Sequence, residues 1–516
     1  MLLTVNGDLN KYYIQTLCML FYPGAKFSES ETDQNLAAMF TRTDSPDGRE
    51  VSVTCRFSAD GKSAEASHTE TVGGSSMLLG SSPDADPREK ASKIAAGIAA
   101  LQAGKELFGI VPSWGILTGI RPAKMASELL CMRSPDGARI HSPAATRSIL
   151  TNEFMVNPRK AALAVDIAKN EQKIARLARA GKAPTCSIYI SVPFCPSRCS
   201  YCSFVSYTSK RLLSLIPEYV ERLCRDLAAT LGYIKSRGFR VMTVYIGGGT
   251  PTTLDESQLE QLLDTLWRSL DVSKLSEFTL EGGRPDTITA GKLELARTFG
   301  VTRMSINPQT MSDAILRGIG RRHTVDDFYR AYTLARNSGI GIINTDLIAG
   351  LPGDSFANFS KSVEKILALD PENVTVHTFC VKKSAEILKI DTEIYKRSAD
   401  ETVKGVDYSQ IKLKNAGYTP YYIYRQKNTV GNLENVGFAK KGTEGLYNVL
   451  MMEELHTIFA VGAGAVTKLV RTDKAGKKYI ERLFEPKYPY EYLAADAAAS
   501  ADEKFSAADD FFGFDL

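Results

Sequence analysis

The sequence predicts an α/β fold built around a parallel β-sheet. After residue 186, six short apolar runs rich in β-branched residues alternate with segments that have the 3.6-residue periodicity of helices. This alternation is typical of βαβ units, whose strands lie parallel in a closed or open sheet. The Gly- and Cys-rich loops of this region follow these runs. Because the loops after parallel strands carry the sites of such sheets, we expect a functional site there.

Each predicted element has its own pattern. The predicted strands are Ser187–Val192, Val241–Ile246, Glu277–Leu280, Thr302–Ile306, Ile342–Ile348 and Val374–Thr378. The predicted helices are Ile216–Ile234, Gln258–Leu270, Val325–Ala335 and Phe356–Leu369. In the first helix, Ile216, Val220 and Leu223 are three or four residues apart and would share one buried face. The loops after the strands read PFCPSRCSYC, GGGTPT, EGGRPD, NPQT and GLPGD.

The regions on either side of this pattern predict two further domains, which agrees with a usual domain size of roughly 150 residues. Residues 1–180 combine strand-like pieces, a helical segment at Arg88–Leu107 and the Gly-punctuated loop WGILTGIRP, which predicts an N-terminal α+β accessory domain. Residues 181–380 form the predicted parallel sheet. Residues 381–516 are mixed and aromatic, which predicts a substrate-covering C-terminal domain with a flexible tail.

Composition and charge exclude several classes of protein. The content of 44% hydrophobic and 24% charged residues is that of a folded chain. A net charge of +4 without a run of like charges gives no reason to expect nucleic-acid binding. No apolar stretch is long enough for a membrane span, and the N-terminus does not resemble a signal peptide. The nine cysteines are spread along the chain except for one tight group and do not form a disulfide pattern, so we expect a cytoplasmic protein.

Three of the cysteines lie within eight residues, as CxxxCxxC. They are Cys195, Cys199 and Cys202. A structural zinc site usually needs four ligands at paired spacings, and the chain has no second such pair. Three thiolates instead suit a [4Fe-4S] cluster whose fourth iron is open to another ligand. The pattern therefore favours an iron–sulfur cluster over zinc or unpaired structural cysteines.

CxxxCxxC after the first strand resembles the signature of the radical S-adenosylmethionine (SAM) enzymes. The ordered motifs YISVPF, YIGGGTPT, NPQ, GRRH and DLIAGLP resemble the oxygen-independent coproporphyrinogen III oxidase/dehydrogenase family. The segment WGILTGIRP resembles a divergent branch with an extended N-terminal domain. The resemblance implies a partial (β/α)6 parallel barrel with an N-terminal α+β domain and a C-terminal α+β extension. It also implies a [4Fe-4S] cluster on the three cysteines and one or two SAM molecules.

The resemblance further implies which residues bind SAM. Glycines after the second strand would let backbone amides approach a ligand closely, and a phosphate-binding P-loop is absent because Gly-Lys-Ser/Thr does not follow. Considered alone, residues such as Arg321 and Asp346 are more often structural, and Tyr189 is equally typical of an aromatic core. The implied SAM-binding set is Tyr189, Tyr201, Gly248, Gly249, Thr250, Glu281, Gln309, Arg321 and Asp346, the last three at a second SAM.

The implied activity is anaerobic oxidative decarboxylation of coproporphyrinogen III to protoporphyrinogen IX by a SAM-derived 5′-deoxyadenosyl radical, in haem biosynthesis. The chain would then be an oxidoreductase served by a flavodoxin- or ferredoxin-like reductant. Cations beside aromatic side chains suit the propionates of a tetrapyrrole substrate. Arg425 and Lys427, in the segment YYIYRQKN, are the candidate substrate-binding residues, and a half-buried strand with a solvated basic edge is the alternative.

Two positions depart from the oxidase pattern. Phe204 stands where well-studied members have a further cysteine, and Ser191 replaces a histidine. Phe204 also resembles the haem-chaperone relatives, so a haem-binding trafficking protein is an alternative. The chaperones are expected to carry His-Asn-x-x-Tyr-Trp where this chain has Tyr447 followed by Asn448, and the missing histidine weakens that alternative. A radical SAM enzyme acting on another tetrapyrrole and a zinc-binding adaptor are the remaining alternatives.

Overall fold

The computed structural model covers the chain in two compact units. It describes all residues except 30–34, 74–85, 120, 135, 182, 203–205, 381–398, 427–428, 475 and 514–516. The first unit comprises Met1–Asn170 and Ile423–Glu434, and the second comprises Glu171–Tyr422 and Asn435–Leu516. The division into three domains after residues 180 and 380 stays a prediction.

The first unit is an α+β structure, as predicted. Its elements, with the helix that leads out of it, are β1 (Leu2–Asn6), α1 (Lys11–Phe21), β2 (Leu36–Asp44), β3 (Glu50–Ala59), β4 (Lys62–Thr71), α2 (Pro87–Phe108), α3 (Ala123–Cys131), α4 (Pro143–Asn152) and α5 (Pro158–Ala178). The four strands form one sheet in the order β1-β2-β3-β4, in which only β1 and β2 are parallel.

The sheet of the first unit is covered by α2. Alternate residues of β3 are buried, which is the two-residue period of a strand with one face on a core. Asp86 caps the start of α2 through the amide of Arg88, and Gly109 ends the helix in the left-handed conformation. The rings of Phe21, Phe57 and Phe108 meet between helix and sheet.

The parallel sheet predicted from the alternating pattern is confirmed. Its elements are β5 (Thr185–Val192), α6 (Lys210–Leu213), α7 (Ile216–Ser236), β6 (Arg240–Gly248), α8 (Glu256–Ser269), β7 (Glu277–Glu281), α9 (Ala290–Thr298), β8 (Arg303–Ser305), α10 (Asp313–Gly318), α11 (Val325–Asn337), β9 (Ile342–Ala349), α12 (Phe356–Leu369) and β10 (Asn373–Thr378). Strands β5 to β10 lie side by side in chain order, each parallel to the next.

Further elements extend this sheet. They are α13 (Ala399–Asn415), β11 (Thr419–Arg425), β12 (Glu434–Ala439), α14 (Leu446–Met452), β13 (Thr457–Val461), β14 (Val466–Thr472), β15 (Lys478–Phe484), α15 (Pro489–Ala494) and α16 (Ala497–Phe512). The complete strand order is β11-β12-β10-β9-β8-β7-β6-β5-β13-β14-β15. Strand β13 continues the parallel part beside β5, whereas β12, β14 and β15 pair antiparallel.

The parallel strands bring the unusual loops to one edge of the sheet. Seven of the eight residues of β5 are buried, as expected for a strand covered on both faces. Because β5 to β9 run in the same direction, the loops after them meet at their carboxyl ends. Across the described part of the chain, no helix combines the length and the hydropathy that a transmembrane span requires.

Candidate functional site

The loop after β5 is held in place by backbone hydrogen bonds on both of its sides. The amide of Cys195 donates to the carbonyl of Tyr207 at 3.1 Å, and the amide of Tyr207 donates to that of Pro193 at 2.8 Å. Within the loop, the amide of Cys202 donates to the carbonyl of Cys199 at 3.1 Å, which forms a turn. The three predicted cluster cysteines therefore lie on one anchored loop at the end of β5.

The three thiols influence one another electrostatically. Cys195 and Cys199 are buried and Cys202 is half-buried. The pKa of Cys195 is raised to about 11, mainly by burial. The charges of Cys202 and Cys199 also raise this pKa, whereas the Thr250 hydroxyl, 3.3 Å from the Cys195 sulfur, lowers it. A thiol with this pKa is protonated at neutral pH, so a metal centre would have to supply the positive charge that ionises it.

The spacing of these thiols bears on the kind of metal group they fit. Within the described ranges, no three His, Cys, Asp or Glu side chains converge on the position of one metal ion. A single zinc ion needs each sulfur about 2.3 Å from one point, whereas the cysteines of an iron–sulfur cluster bind different irons. Three thiols within eight residues of one loop can each bind a different iron of such a cluster.

The glycines at the end of β6 allow the cysteine loop to lie close to this strand. A Cβ atom on Gly249 would lie 2.6 Å from the carbonyl oxygen of Phe194, and Gly248 has a φ of +116°. The amide of Gly249 donates to the carbonyl of Val192 at 2.8 Å, and that of Thr250 donates to Phe194 at 2.8 Å. These two amides thus bind backbone carbonyls, in contrast to the expectation that they face a ligand.

The carboxyl group of Glu281, at the end of β7, lies against the same glycines. A Cβ atom on Gly247 would lie 2.8 Å from its Oε2 atom. Burial and, to a smaller extent, the nearby Asp346 together raise the pKa of Glu281 to about 8. Hydrogen bonds from the Tyr245 hydroxyl and the Gly248 amide act in the opposite direction. The carboxyl is therefore mostly protonated at pH 7 and would ionise when a cationic ligand binds.

Gln309, Arg321 and Asp346 lie on and beyond β8 and β9. The amide of Gln309 donates to the carbonyl of Asp346 at 3.0 Å, and Gln309 has a φ of +70°, a strained conformation for a residue with a side chain. Arg321 is buried and donates to the carbonyl of Asn307 at 2.9 Å and to the Tyr201 hydroxyl at 3.2 Å. The structure thus brings Arg321 next to Tyr201, and Gln309 next to Asp346.

Several buried polar atoms in this region have no hydrogen-bond partner among the described residues. A buried polar atom of this kind costs about 1–3 kcal/mol, so a polar ligand that satisfied several of them would gain that energy. The atoms are Ser305 Oγ, Asn307 Oδ1, Gln309 Oε1, Thr310 Oγ1, Arg321 Nε, both ring nitrogens of His323 and Thr345 Oγ1. Most of these atoms belong to residues at or beyond the end of β8, so this edge is a candidate site for a polar ligand.

Three tyrosines from different elements stack beside Glu281. The ring centroids of Tyr189 and Tyr245 are 6.1 Å apart, and those of Tyr245 and Tyr447 are 4.6 Å apart, with interplanar angles of 23° and 25°. Burial raises the pKa of each hydroxyl above its usual range. The sequence predicted a site role for Tyr189 but not for Tyr245, which lies two residues before the first glycine of the motif.

Arg284 also contacts the cysteine loop, although it is not among the site residues predicted from the sequence. Its Nη1 atom is 3.8 Å from the sulfur of Cys199 and 3.3 Å from the carbonyl oxygen of Ser197. Its guanidinium also forms an ion pair with Asp286 at 3.0 Å. His323 lies 3.9 Å from Asp286, and burial lowers its pKa to about 4, so this histidine is neutral. The only sequence signal for Arg284 was its position in the loop EGGRPD.

Arg425 and Lys427 are the predicted substrate-binding residues. Arg425 belongs to the first unit, where it donates to the carbonyl of Leu117 at 2.6 Å and to the side-chain oxygen of Asn432 at 2.7 Å. Lys427 lies outside the described residues, as does Phe204. Binding of substrate by Arg425 and Lys427 therefore stays a prediction.

Comparison with known proteins relates this geometry to a family. Residues 189–366 match the model of the Radical SAM superfamily. The oxygen-independent coproporphyrinogen-III oxidase-like protein HemZ of Bacillus subtilis (strain 168) is 36% identical over 386 residues, which is 74% of this chain and 75% of HemZ. The chain belongs to the oxygen-independent coproporphyrinogen III oxidase family of radical SAM proteins.

The chain is also similar to proteins named heme chaperones. Heme chaperone HemW of Bacillus subtilis (strain 168) is 31% identical over 311 residues, which is 59% of this chain and 77% of HemW. The coproporphyrinogen III oxidase HemN of Escherichia coli, a radical SAM enzyme of known structure, is 19% identical over 57% of this chain and 67% of its own, with a TM-score of 0.46.

The radical SAM superfamily uses a [4Fe-4S] cluster and SAM. Two observations in this chain fit these groups. The cysteine loop carries three thiols within eight residues, and the adjoining strand ends offer Glu281 and several buried polar atoms without a hydrogen-bond partner among the described residues. A ligand with an ammonium and a carboxylate group, such as the methionine part of SAM, complements such a mixture of acidic and polar groups.

Proposed function

We propose that this chain is a cytoplasmic oxidoreductase that decarboxylates two propionate side chains of coproporphyrinogen III and yields protoporphyrinogen IX. The observation that supports this activity is the tyrosine stack of Tyr189, Tyr245 and Tyr447 beside Glu281. A stack of rings offers a flat surface to a tetrapyrrole. Tyr447, at the position where the chaperone relatives are expected to carry a histidine, provides no nitrogen ligand for haem iron.

The two cofactors would be held by this chain's own strand-end residues. The cluster would bind Cys195, Cys199 and Cys202, and SAM would occupy the rim next to it. When bound, cluster and SAM supply an oxidant able to remove a hydrogen atom from an unactivated carbon. The residues proposed to contact SAM are Tyr189, Tyr201, Gly248, Gly249, Thr250 and Glu281, with Gln309, Arg321 and Asp346 at a second SAM.

The contributions of the protein are binding, orientation and control of one proton. The carboxyl group of Glu281 holds a proton until an ammonium group arrives, and then becomes its counter-ion. Gln309 Oε1 and Arg321 Nε are buried and have no hydrogen-bond partner among the described residues, so we expect these two side chains to orient a ligand at this edge. The buried ends of β5 to β8 exclude water from the reacting groups.

The balance of the reaction requires further partners. Each propionate loses a hydrogen atom, carbon dioxide and one electron as it becomes a vinyl group. An external acceptor must take that electron, and a flavodoxin- or ferredoxin-like protein would supply the electron that reduces the cluster.

A haem chaperone is the second candidate function, because HemW of Bacillus subtilis is 31% identical over 311 residues. A chaperone would bind haem stoichiometrically and leave a tetrapyrrole unchanged. The missing histidine at position 447 argues against this role, whereas the similarity to HemW favours it.

One anaerobic incubation tests the proposed function. Cluster-reconstituted protein is mixed with SAM, a reductant, an electron acceptor and coproporphyrinogen III, and the tetrapyrrole is analysed by mass spectrometry. We expect a product that has lost two carboxyl groups. An unchanged tetrapyrrole despite formation of 5′-deoxyadenosine would overturn the substrate, and haem bound at one equivalent without any turnover would favour the chaperone.

A further inference from the structure

The first unit contains a cavity that none of the cluster or SAM residues line. Its volume is about 40 Å³. A buried water molecule needs roughly 10–15 Å³, so this space has room for about three or four water-sized groups, enough for a carboxylate on a short aliphatic stem. Its walls come from α1, the loop after Trp114, the end of β11 and the segment that follows it, and include Thr16, Met19, Leu20, Thr118, Arg425 and Asn432.

Arg425 brings a buried positive charge to this cavity. Arg425 is buried, with only 4% of its surface exposed to solvent. Two of its nitrogens are engaged, Nη1 by the carbonyl of Leu117 and Nη2 by the side-chain oxygen of Asn432. The Nε atom is buried and has no hydrogen-bond partner in the described ranges. Both partners of the guanidinium are neutral, so they do not balance its charge.

The carboxylate nearest to Arg425 is already engaged by other groups. Glu434 is fully buried and accepts from Lys160 Nζ at 2.7 Å and from Trp114 Nε1 at 2.7 Å. Among the described residues, none forms an ion pair with Arg425. Burial lowers the pKa of Arg425 to about 10, an effect that Glu434 opposes, so the guanidinium stays charged at neutral pH. A buried charge without a counter-ion is costly, and an anion in the cavity would remove that cost.

We propose that this cavity binds a monocarboxylate, which pairs with the guanidinium of Arg425 on its wall. A single unbalanced positive charge matches one negative charge, whereas phosphate ligands are usually held by several cationic donors. The Thr118 hydroxyl on the wall offers a second donor, and Met19 and Leu20 offer contacts to a short aliphatic chain. The site goes beyond the proposed function and does not depend on the cluster.

The carboxylate could come from two sources with the same chemistry. It is either a free short-chain acid or the carboxylate arm of a larger molecule, such as a propionate of a tetrapyrrole. Sodium propionate represents both sources. Coproporphyrin III, which carries four such arms, then distinguishes them by competition.

Isothermal titration of the full chain with sodium propionate, in chloride-free buffer, tests the site. We expect one binding site in the natural protein and at least tenfold weaker binding in Arg425→Gln, which keeps a polar side chain but removes the charge. Arg49→Gln is the matched control, because the Arg49 side chain is 83% exposed, and its affinity should not change. Displacement of propionate by coproporphyrin III assigns the arm of a tetrapyrrole, and failure to displace it assigns a free acid.

Thr118→Val keeps the experiment decisive if Arg425→Gln does not fold. This variant retains shape and charge, and we expect its propionate affinity to fall several-fold. Propionate should also raise the melting temperature of the natural protein, whereas equal concentrations of chloride should not. The proposal is overturned by the absence of propionate binding, by equal affinity in the natural protein and both variants, or by an equal effect of chloride. Intact propionate binding with a failed decarboxylation assay would refute the proposed function alone.

Discussion

At the residue scale, the protonation of Glu281 should control the binding of SAM. Its pKa of about 8 means that a proton must leave before the carboxylate can pair with an ammonium group. Below pH 8 the affinity for SAM should therefore rise about tenfold per pH unit, and above pH 8 it should level off. Equilibrium dialysis under anaerobic conditions measures this dependence. Glu281→Gln should bind SAM more weakly and with little pH dependence, and a natural protein with constant affinity from pH 6 to 9 would contradict this role.

Arg284 should hold the cysteine loop in place for the cluster. Replacing it with Gln removes the contact to Cys199 and the ion pair with Asp286. Because Asp286 is partly exposed, we expect a loss of roughly 2 kcal/mol in stability, less than for a fully buried pair. The iron content after reconstitution should fall by half or more. Arg268→Gln, at a surface ion pair on α8, is the control, and equal iron contents in both variants would rule out this role.

Candidate site residues can be predicted from the sequence where a motif contains them. The cysteines and Glu281 directly follow predicted strands, so strand direction alone placed them at one edge. The contact of Arg284 with Cys199 could not be predicted, because the two residues are 85 positions apart in the sequence. The unpartnered atom of Gln309 could not be predicted either, since burial without a hydrogen-bond partner is a property of the packed structure.

At the scale of elements, the close contact between β6 and the cysteine loop can be tested with alanine. Gly249→Ala would place a Cβ atom 2.6 Å from the backbone oxygen of Phe194, so the loop must move. We expect the variant to fold but to lose most of its cluster, as measured by iron and visible absorption. Gly232→Ala is the matched control within α7, where no atom lies within 4 Å of the added Cβ.

The control itself should become more stable. Alanine is favoured over glycine in a helix by about 0.8–1 kcal/mol, and Gly232 is exposed. Unfolding by denaturant should show this gain with normal cluster content. If Gly249→Ala retained the cluster as well as Gly232→Ala does, the close approach of β6 would not matter for the site.

The hydrophobic pattern predicted the central elements closely. The predicted helix Phe356–Leu369 has the observed bounds, and β5 begins two residues before the predicted start. The hydrophobic pattern did not predict β13 to β15 as separate strands, because β14 and β15 form an antiparallel extension at the edge of the sheet. The tyrosine stack was also out of reach, since α14 supplies Tyr447 from a distant part of the chain.

At the scale of the whole molecule, a short segment from the second half of the chain completes the first unit. Residues 423–434 cluster with residues 1–170, and Glu434 pairs with Lys160 inside that unit. No local pattern predicts this arrangement, because it joins positions 274 residues apart. The predicted boundary after residue 380 could not anticipate it for the same reason.

Breaking this buried pair should destabilise the first unit strongly. Lys160→Met removes the cation that lies 2.7 Å from the fully buried Glu434, and breaking a buried ion pair typically costs about 3–5 kcal/mol. Lys11→Met, at an exposed ion pair with Glu29, should cost less than about 1 kcal/mol. Denaturant unfolding of both variants gives the two values, and similar small losses would show that Lys160 and Glu434 contribute little to the unit.

The central claim is that Cys195, Cys199 and Cys202 form a radical SAM centre, and release of 5′-deoxyadenosine tests it most directly. Reconstituted protein is reduced with SAM under anaerobic conditions, and the nucleoside is quantified by chromatography for the natural chain, Cys199→Ala and Cys224→Ala. Cys224 lies on α7 and serves as the matched control. We expect 5′-deoxyadenosine from the natural chain and Cys224→Ala and none from Cys199→Ala, which should also lack the cluster. Undiminished release from Cys199→Ala, or none from a natural chain with an intact cluster, would contradict the claim.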